Sequence, residues 1–258
     1  MRQKSNGTFL WVALVIEELR QVLGVDMLEA LEDMPSSLTP VYDRMMKHIQ
    51  QLPRQYPRRC LLSLSAATFA YRPLHLREIH ILAGLQKEIR NSGDPERIIN
   101  MCGSFLTIRD NYVYFIHQSA KDYLNEDAST LIFPAGYGRI HYDMFSWSLD
   151  ALSRTLQRDI YNLQEPGSMV ESVPDSDPLG SIRYSCMFWV DHLCEADRSL
   201  DQRKNLSDDG AIFAFLKEHF LHWLESLSLI NKLSDGVLSI KKLLHKVQVR
   251  QIPPAIKF

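Results

Sequence analysis

A histidine between a predicted strand and a predicted helix, His117, is the residue of this sequence best placed to do chemistry. Alternating aromatic and branched residues over 112–116 predict a short, half-buried strand. Ser119, followed by Asp122 three residues later, is typical of a helix that begins with a capping box. His117 is therefore expected beside the positive end of a helix, where an anion can bind. A histidine here is a core residue, a helix-cap residue or a donor to a phosphate held by another domain, and position alone leaves these interpretations open.

Motifs for nucleotide hydrolysis and covalent catalysis are missing from the sequence. None of the 11 glycines begins a G-x-x-x-x-G-K-[ST] phosphate loop. The run over 14–18 resembles an apolar strand that ends in Mg²⁺-binding acids, but without a phosphate loop we expect an ordinary helix there. The sequence also has no G-x-S-x-G elbow, and no cysteine lies in a recognisable nucleophile context. We therefore expect no catalytic residue and no enzyme activity in this chain.

Two groups of residues contain side chains that can bind a metal ion. His219 and His222 are three residues apart, and Cys186, His192 and Cys194 fall within one stretch. Both groups lie among aromatic residues in segments with a helical pattern, and neither spacing fits a zinc motif. We expect packed helix faces and no metal site.

Composition indicates an ordinary globular protein. The chain has 258 residues, with 45% hydrophobic and 23% charged residues and a net charge of −2. This charge gives no electrostatic case for nucleic acid or an anionic membrane as a partner. The apolar run over 9–16 is too short to span a membrane and is followed by charged residues, so we expect a buried helix and a cytoplasmic protein. The four cysteines are expected to be buried free thiols.

The pattern of apolar and turn-forming residues predicts a mainly α-helical fold. A hairpin is expected over 104–109 and 112–116, joined by the turn dipeptide Asp110-Asn111. Three helices followed by this hairpin constitute a winged-helix arrangement. The predicted third helix carries one basic residue among several apolar ones, so DNA recognition is not expected. Helices are predicted over 9–23, 40–51, 60–70, 95–101, 139–159, 179–194, 210–226 and 234–247. The stretch that begins at residue 72 is predicted to be a turn followed by a further helix that reaches residue 85.

Three domains follow from this order of elements. We predict a helical segment over 1–54, a winged-helix domain over 55–127 and a C-terminal helical domain over 128–258. Loops are predicted over 34–40, 91–95, 165–178 and 197–209, where proline, serine and charged residues collect.

Several stretches resemble one family of signalling proteins. Residues 115–124, F-I-H-Q-S-A-K-D-Y-L, resemble the F-[IL]-H-x-[ST]-x-x-[DE]-[FY] segment in the winged-helix domain of NACHT-type (STAND or NLR-like) NTPases. Further stretches resemble the fungal branch of that group, and together they cover nearly the whole chain. They are 7–13, 38–45, 71–78, 102–107, 158–161 and 182–193. The chain is similar to the region after the ATPase core, as in heterokaryon-incompatibility proteins that carry WD or ankyrin repeats.

The resemblance implies a mechanism and a set of partners. In the family, the winged-helix histidine contacts the β-phosphate of ADP in the NACHT core, and exchange for ATP releases the modules so that they oligomerise. His117 is the corresponding residue here. The implied partners are a NACHT ATPase core and other protein domains, with homo-oligomers in the full-length context, and ADP or ATP bind only where that core is supplied.

The sequence is compatible with two functional hypotheses. The first is a non-catalytic regulatory region of a fungal NACHT protein, which couples the nucleotide state of the core to conformational switching and self-association. The alternative is a free-standing winged-helix adaptor or DNA-binding protein.

Overall fold

The computed structural model describes residues 9–19, 37–86, 95–164, 177–197, 207 and 210–251. Over these residues the chain is mainly α-helical with one small β-sheet, which confirms the predicted fold class. The elements are α1 (Phe9–Leu19), α2 (Leu38–Gln50), α3 (Tyr56–Phe69), β1 (Leu74–His75), α4 (Leu76–Leu82), α5 (Pro95–Met101), β2 (Leu106–Arg109), β3 (Tyr112–Phe115), α6 (Gln118–Asn125), α7 (Ser129–Ile132), α8 (Tyr137–Thr155), α9 (Arg183–Glu195), α10 (Ala211–Leu229) and α11 (Leu233–Gln251).

Two compact units account for the fold. Unit 1 comprises Met1–Leu76 and Asn91–Pro134, and unit 2 comprises Arg77–Arg90 and Ala135–Phe258. The contacts thus place most of α4 in unit 2, although the sequence pattern assigned it to the winged helix. The division into domains 1–54, 55–127 and 128–258 stays a prediction. Within the described ranges, no helix is both long and apolar enough to cross a membrane.

The apolar residues of helix α2 fall on one face of the helix, and this face is buried in unit 1. It begins at Leu38 after Ser37, with Pro40 in the first turn as expected. Its buried residues follow a helical spacing and are Val41, Tyr42, Met45, Met46 and Ile49. Helix α1 covers the run over 14–18, which confirms the expectation of a helix there.

A three-stranded antiparallel sheet with the order β1-β3-β2 lies in unit 1. Strands β2 and β3 form the predicted hairpin, with Leu106 opposite Phe115 and Arg109 opposite Tyr112. Asp110 and Asn111 have φ values of 50° and 64°, the left-handed conformation that a tight two-residue hairpin turn requires. Strand β1 lies where the sequence predicts a turn after residue 72. The sequence does not predict this strand, because two residues are too few to show an alternating pattern.

Helix α5 has the predicted bounds, and Gly103 follows it with a φ of 62°. The expected order of three helices and a hairpin is therefore present in the chain, while the winged-helix assignment itself stays a prediction. The four cysteines are free, as expected. Cys60, Cys102 and Cys186 are buried, whereas Cys194 is half-buried.

The core of unit 2 is aromatic. The rings of Trp189 and Trp223 are both fully buried, and their centroids lie 5.7 Å apart in an edge-to-face arrangement. Trp223 Nε1 donates to the carbonyl of Cys186 at 2.9 Å, which ties α10 to α9. The four helices predicted after residue 139 are present with shifted ends. Helix α9 begins at Arg183 rather than 179 because turns occupy the preceding residues.

The predicted loops over 91–95, 165–178 and 197–209 lie largely outside the described residues. The loop predicted over 34–40 is partly wrong, because residues 38–40 already belong to helix α2, whereas 34–36 lie outside the described residues. The family-like stretch over 7–13 is described from residue 9 onward, where it forms the start of helix α1.

Candidate functional site: the His117 junction

His117 lies where β3 leads into α6, as the sequence predicted. Strand β3 ends at Phe115, and His117 is the N-cap residue of α6, with an extended backbone at φ −157° and ψ 156°. Its side chain is exposed. The interpretation of His117 as a packed core residue is therefore wrong, and the interpretation as a helix cap is confirmed.

The expected capping box does not form, because the helix begins one residue before Ser119. The Nδ1 atom of His117 accepts from the backbone N–H of Ser119 at 3.1 Å. The imidazole of His117, rather than the hydroxyl of Ser119, therefore caps the helix. Asp122 instead accepts from the side-chain amide of Gln118 at 2.8 Å. The backbone N–H of Ala120 bonds to the carbonyl of His117 at 3.1 Å. Two N–H groups of the first turn are thus already used.

These contacts fix which nitrogen of His117 carries the proton. An atom that accepts from a backbone N–H must present a lone pair, so Nδ1 is unprotonated and the neutral ring carries its hydrogen on Nε2. Among the described residues, Nε2 makes no hydrogen bond. The exposed ring therefore presents an N–H donor to its surroundings, and this donor suits an anionic oxygen.

Sequence reasoning missed a second group that bears on His117. The hydroxyl of Ser119 lies 2.9 Å from Nδ1 of His117, and it also lies 2.9 Å from the hydroxyl of Tyr42 on α2. Burial raises the pKa of Tyr42, and the nearby Asp122 carboxylate adds to this rise although the bond to Ser119 opposes it. The phenol is therefore protonated and able to donate. Because 77 positions separate Tyr42 from Ser119 in the sequence, no local sequence pattern predicts this contact.

A second contact joins α2 and α6 one turn further along α6. The hydroxyl of Tyr123 donates to Oδ1 of Asp43 at 2.7 Å. Burial and the acceptor Asp43 both raise the pKa of Tyr123. Tyr42 and Asp43 both belong to the family-like stretch over 38–45, so this stretch and the stretch over 115–124 meet in space.

The residues considered for a metal site are held by other contacts in unit 2. His192 is fully buried on α9, where its Nδ1 atom lies 2.9 Å from Nδ1 of His141 and its Nε2 atom lies 2.8 Å from the hydroxyl of Tyr184. Burial, and then the neighbouring His141, lowers the pKa of His192 to about 3. His219 is buried on α10 and stacks on Phe215, with ring centroids 5.8 Å apart. Over the described part of the chain, no cluster of three or more metal-ligating residues occurs.

The fold and this junction define a mainly helical region with a short hairpin that ends in a histidine-capped helix. Over 264 residues the chain is 38% identical to the vegetative incompatibility protein HET-E-1 of Podospora anserina, an alignment that covers 94% of this chain. This likeness confirms the resemblance to a region of fungal NACHT-type proteins. The chain spans only 19% of the length of that relative. No family model matches the chain, and no solved structure matches it.

Proposed function

We propose that this chain is a non-catalytic regulatory region of a fungal NACHT-type heterokaryon-incompatibility protein. In this proposal it couples the nucleotide state of an ATPase core to conformational switching and self-association. The observation that supports it most is the exposed imidazole of His117, whose Nδ1 atom is bonded inside the protein and whose Nε2–H points a donor outward. The likeness to a vegetative incompatibility protein supports the biological setting.

Nucleotide sensing in this proposal is a hydrogen bond from Nε2 of His117 to the β-phosphate of ADP held by the core. A histidine in the neutral Nε2–H form can donate this bond without giving up its cap, because the cap uses the opposite nitrogen. Loss of the phosphate contact on exchange for ATP then favours the open, self-associating form. Coupling between two such sites is typically about 1–3 kcal/mol, which is about 5- to 150-fold in affinity.

The test compares two substitutions of His117 in the chain joined to a matching NACHT core. Both His117→Ala and His117→Asn remove the Nε2–H donor. Asparagine keeps a side-chain oxygen that can cap Ser119 N–H, and its amide N–H groups end one atom short of the Nε2 position. We expect both variants to bind ADP about 5- to 150-fold more weakly by calorimetry and to self-associate more readily by light scattering. Only His117→Ala is expected to lower the stability of α6, by about 1 kcal/mol.

Two results would contradict nucleotide sensing by His117. Unchanged ADP affinity and an unchanged oligomeric state in both variants would remove the sensor role. A change in His117→Ala alone would assign the effect to loss of the cap rather than of the phosphate contact. Gln118→Ala, which removes the neighbouring exposed amide, serves as the control and should bind ADP like the parent chain.

The rival function is a free-standing adaptor or DNA-binding protein. The single basic residue of α5, Arg97, lies 5.8 Å over the ring of Tyr56, and Ile98 and Ile99 are buried. This arrangement favours packing over base contact. Fluorescence anisotropy with duplex DNA at two salt concentrations tests the rival, because DNA binding should weaken steeply as salt rises.

A further inference from the structure

Two adjacent residues of α2 contact α6 at points one helical turn apart. Tyr42 contacts Ser119, and Asp43 accepts from Tyr123. Ser119 and Tyr123 are four residues apart on α6, so they lie on the same face of that helix. We call these two contacts, Tyr42–Ser119 and Asp43–Tyr123, the α2–α6 clasp.

Aromatic packing holds the first contact of the clasp in place. Tyr42 is 1% exposed, and its ring lies 5.5 Å from that of Phe105 at 25° and 5.2 Å from that of Tyr123 at 33°. Phe105 and Tyr123 also stack on each other, at 5.9 Å and 22°. A phenol packed by two rings has little rotational freedom, so its hydroxyl is presented to Ser119 in one direction.

The direction of each hydrogen bond in this chain of contacts follows from the first one. Nδ1 of His117 accepts from the backbone of Ser119, so it carries no hydrogen and the hydroxyl of Ser119 can only donate to it. The oxygen of Ser119 then accepts from the hydroxyl of Tyr42. The order of donation is Tyr42 to Ser119 to His117, and it is the order compatible with a lone pair on Nδ1.

From this geometry we infer that Tyr42 is a positioning residue for His117. Acting through Ser119, it holds the imidazole as the Nε2–H tautomer and fixes the ring at the start of α6. The clasp thereby links the helical segment that contains α2 to the outward donor of His117, so that a displacement of α2 from α6 changes what the ring offers. The consequence for ADP rests on the proposed function, whereas the tautomer does not.

The tautomer can be read directly from the full 258-residue chain labelled with ¹⁵N-histidine. At a pH where the ring is neutral, the chemical shifts of the two ring nitrogens give the ratio of Nε2–H to Nδ1–H, and His117→Asn identifies the signals of this ring. Tyr42→Phe keeps the packed ring and removes only the hydroxyl. We expect this variant to lower the ratio about two- to tenfold, as the loss of one hydrogen bond implies.

Two further variants separate positioning from a merely structural effect. Ser119→Ala removes the hydroxyl next to Nδ1 and should lower the ratio at least as far as Tyr42→Phe. Tyr123→Phe breaks the other contact of the clasp, with Asp43, and leaves the path from Tyr42 to His117 intact. It is expected to reduce stability without changing the tautomer ratio.

An unchanged ratio in both Tyr42→Phe and Ser119→Ala, with circular dichroism showing folded protein, would overturn the inference. An equal change in Tyr123→Phe would also overturn it, because the effect would then come from loosening α2 in general. A changed ratio with unchanged ADP affinity, measured on the chain joined to a NACHT core, would support the positioning role and count against the proposed nucleotide contact. The two proposals therefore fail in distinguishable ways.

Discussion

Acidification should destabilise unit 2 through one buried histidine, His192. The ring is fully buried and both of its nitrogens are engaged, one with His141 and the other with Tyr184. Burial is the main cause that lowers its pKa from 6.5 to about 3, and the adjacent His141 adds to the effect. Burial also lowers the pKa of His141, which Glu195 partly opposes.

The sign and size of the effect follow from proton linkage. Between about pH 6.5 and 3 the unfolded chain binds a proton at residue 192 that the folded chain does not bind, so stability falls as the pH falls through this window. Each pH unit below the unfolded pKa costs about 1.4 kcal/mol. Lowering the pH from about 7 to about 5 therefore removes about 2 kcal/mol of unfolding free energy through His192.

The assay is urea unfolding at several pH values, comparing the parent chain with His192→Gln. Glutamine keeps an amide donor and acceptor for Tyr184 and His141 but does not titrate. We expect His192→Gln to be less stable at about pH 7 and to lose about 2 kcal/mol less than the parent chain on acidification to about pH 5. Equal losses in the two proteins would refute the assignment, because other groups would then carry the whole pH dependence.

Three further predictions test packing and the junction, each by urea unfolding. Gly84→Ala should lower the free energy of unfolding by about 2–4 kcal/mol, because Gly84 has a φ of 66° and an added Cβ would lie 2.8 Å from Cη2 of Trp147. Gly103→Ala is the matched control. Gly103 has a φ of 62° but open space around it, so the loss should be only about 1–2 kcal/mol. Trp223→Phe should cost about 1–3 kcal/mol, since it removes ring volume and the bond to the Cys186 carbonyl. Tyr123→Phe should cost about 1 kcal/mol through loss of the bond to Asp43.

The elements that local chemistry determines were predictable from the sequence. Helix α5 begins at Pro95, where a proline costs nothing, and it ends just before a glycine in the left-handed region. The hairpin turn uses Asp110 and Asn111, two of the residue types that tolerate positive φ. The junction of strand and helix at His117 was also predictable, because alternation stops where the helical spacing begins.

Features that depend on distant partners were not predictable in this way. Ser119 and Asp122 match the capping-box pattern in the sequence. In the structure, however, the imidazole of His117 accepts from the Ser119 N–H, and the helix begins one residue earlier, at Gln118. Strand β1 exists because Leu74 and His75 pair with the central strand β3, and two residues have no periodicity of their own. Contacts between α2 and α6 join residues about 80 positions apart, as the Asp43–Tyr123 bond shows.

The same contacts explain why His117 cannot be understood from its own helix. A solvent-exposed imidazole with no internal partner would exchange between its two tautomers and would offer a donor on either nitrogen. Here the backbone and hydroxyl of Ser119 both face Nδ1, and the buried hydroxyl of Tyr42 directs the Ser119 hydroxyl toward it. The outward donor is thus set by groups on the protected side of the ring. In the proposed relay between the helical segment and a phosphate contact, an event that moves α2 would act on that donor without touching it.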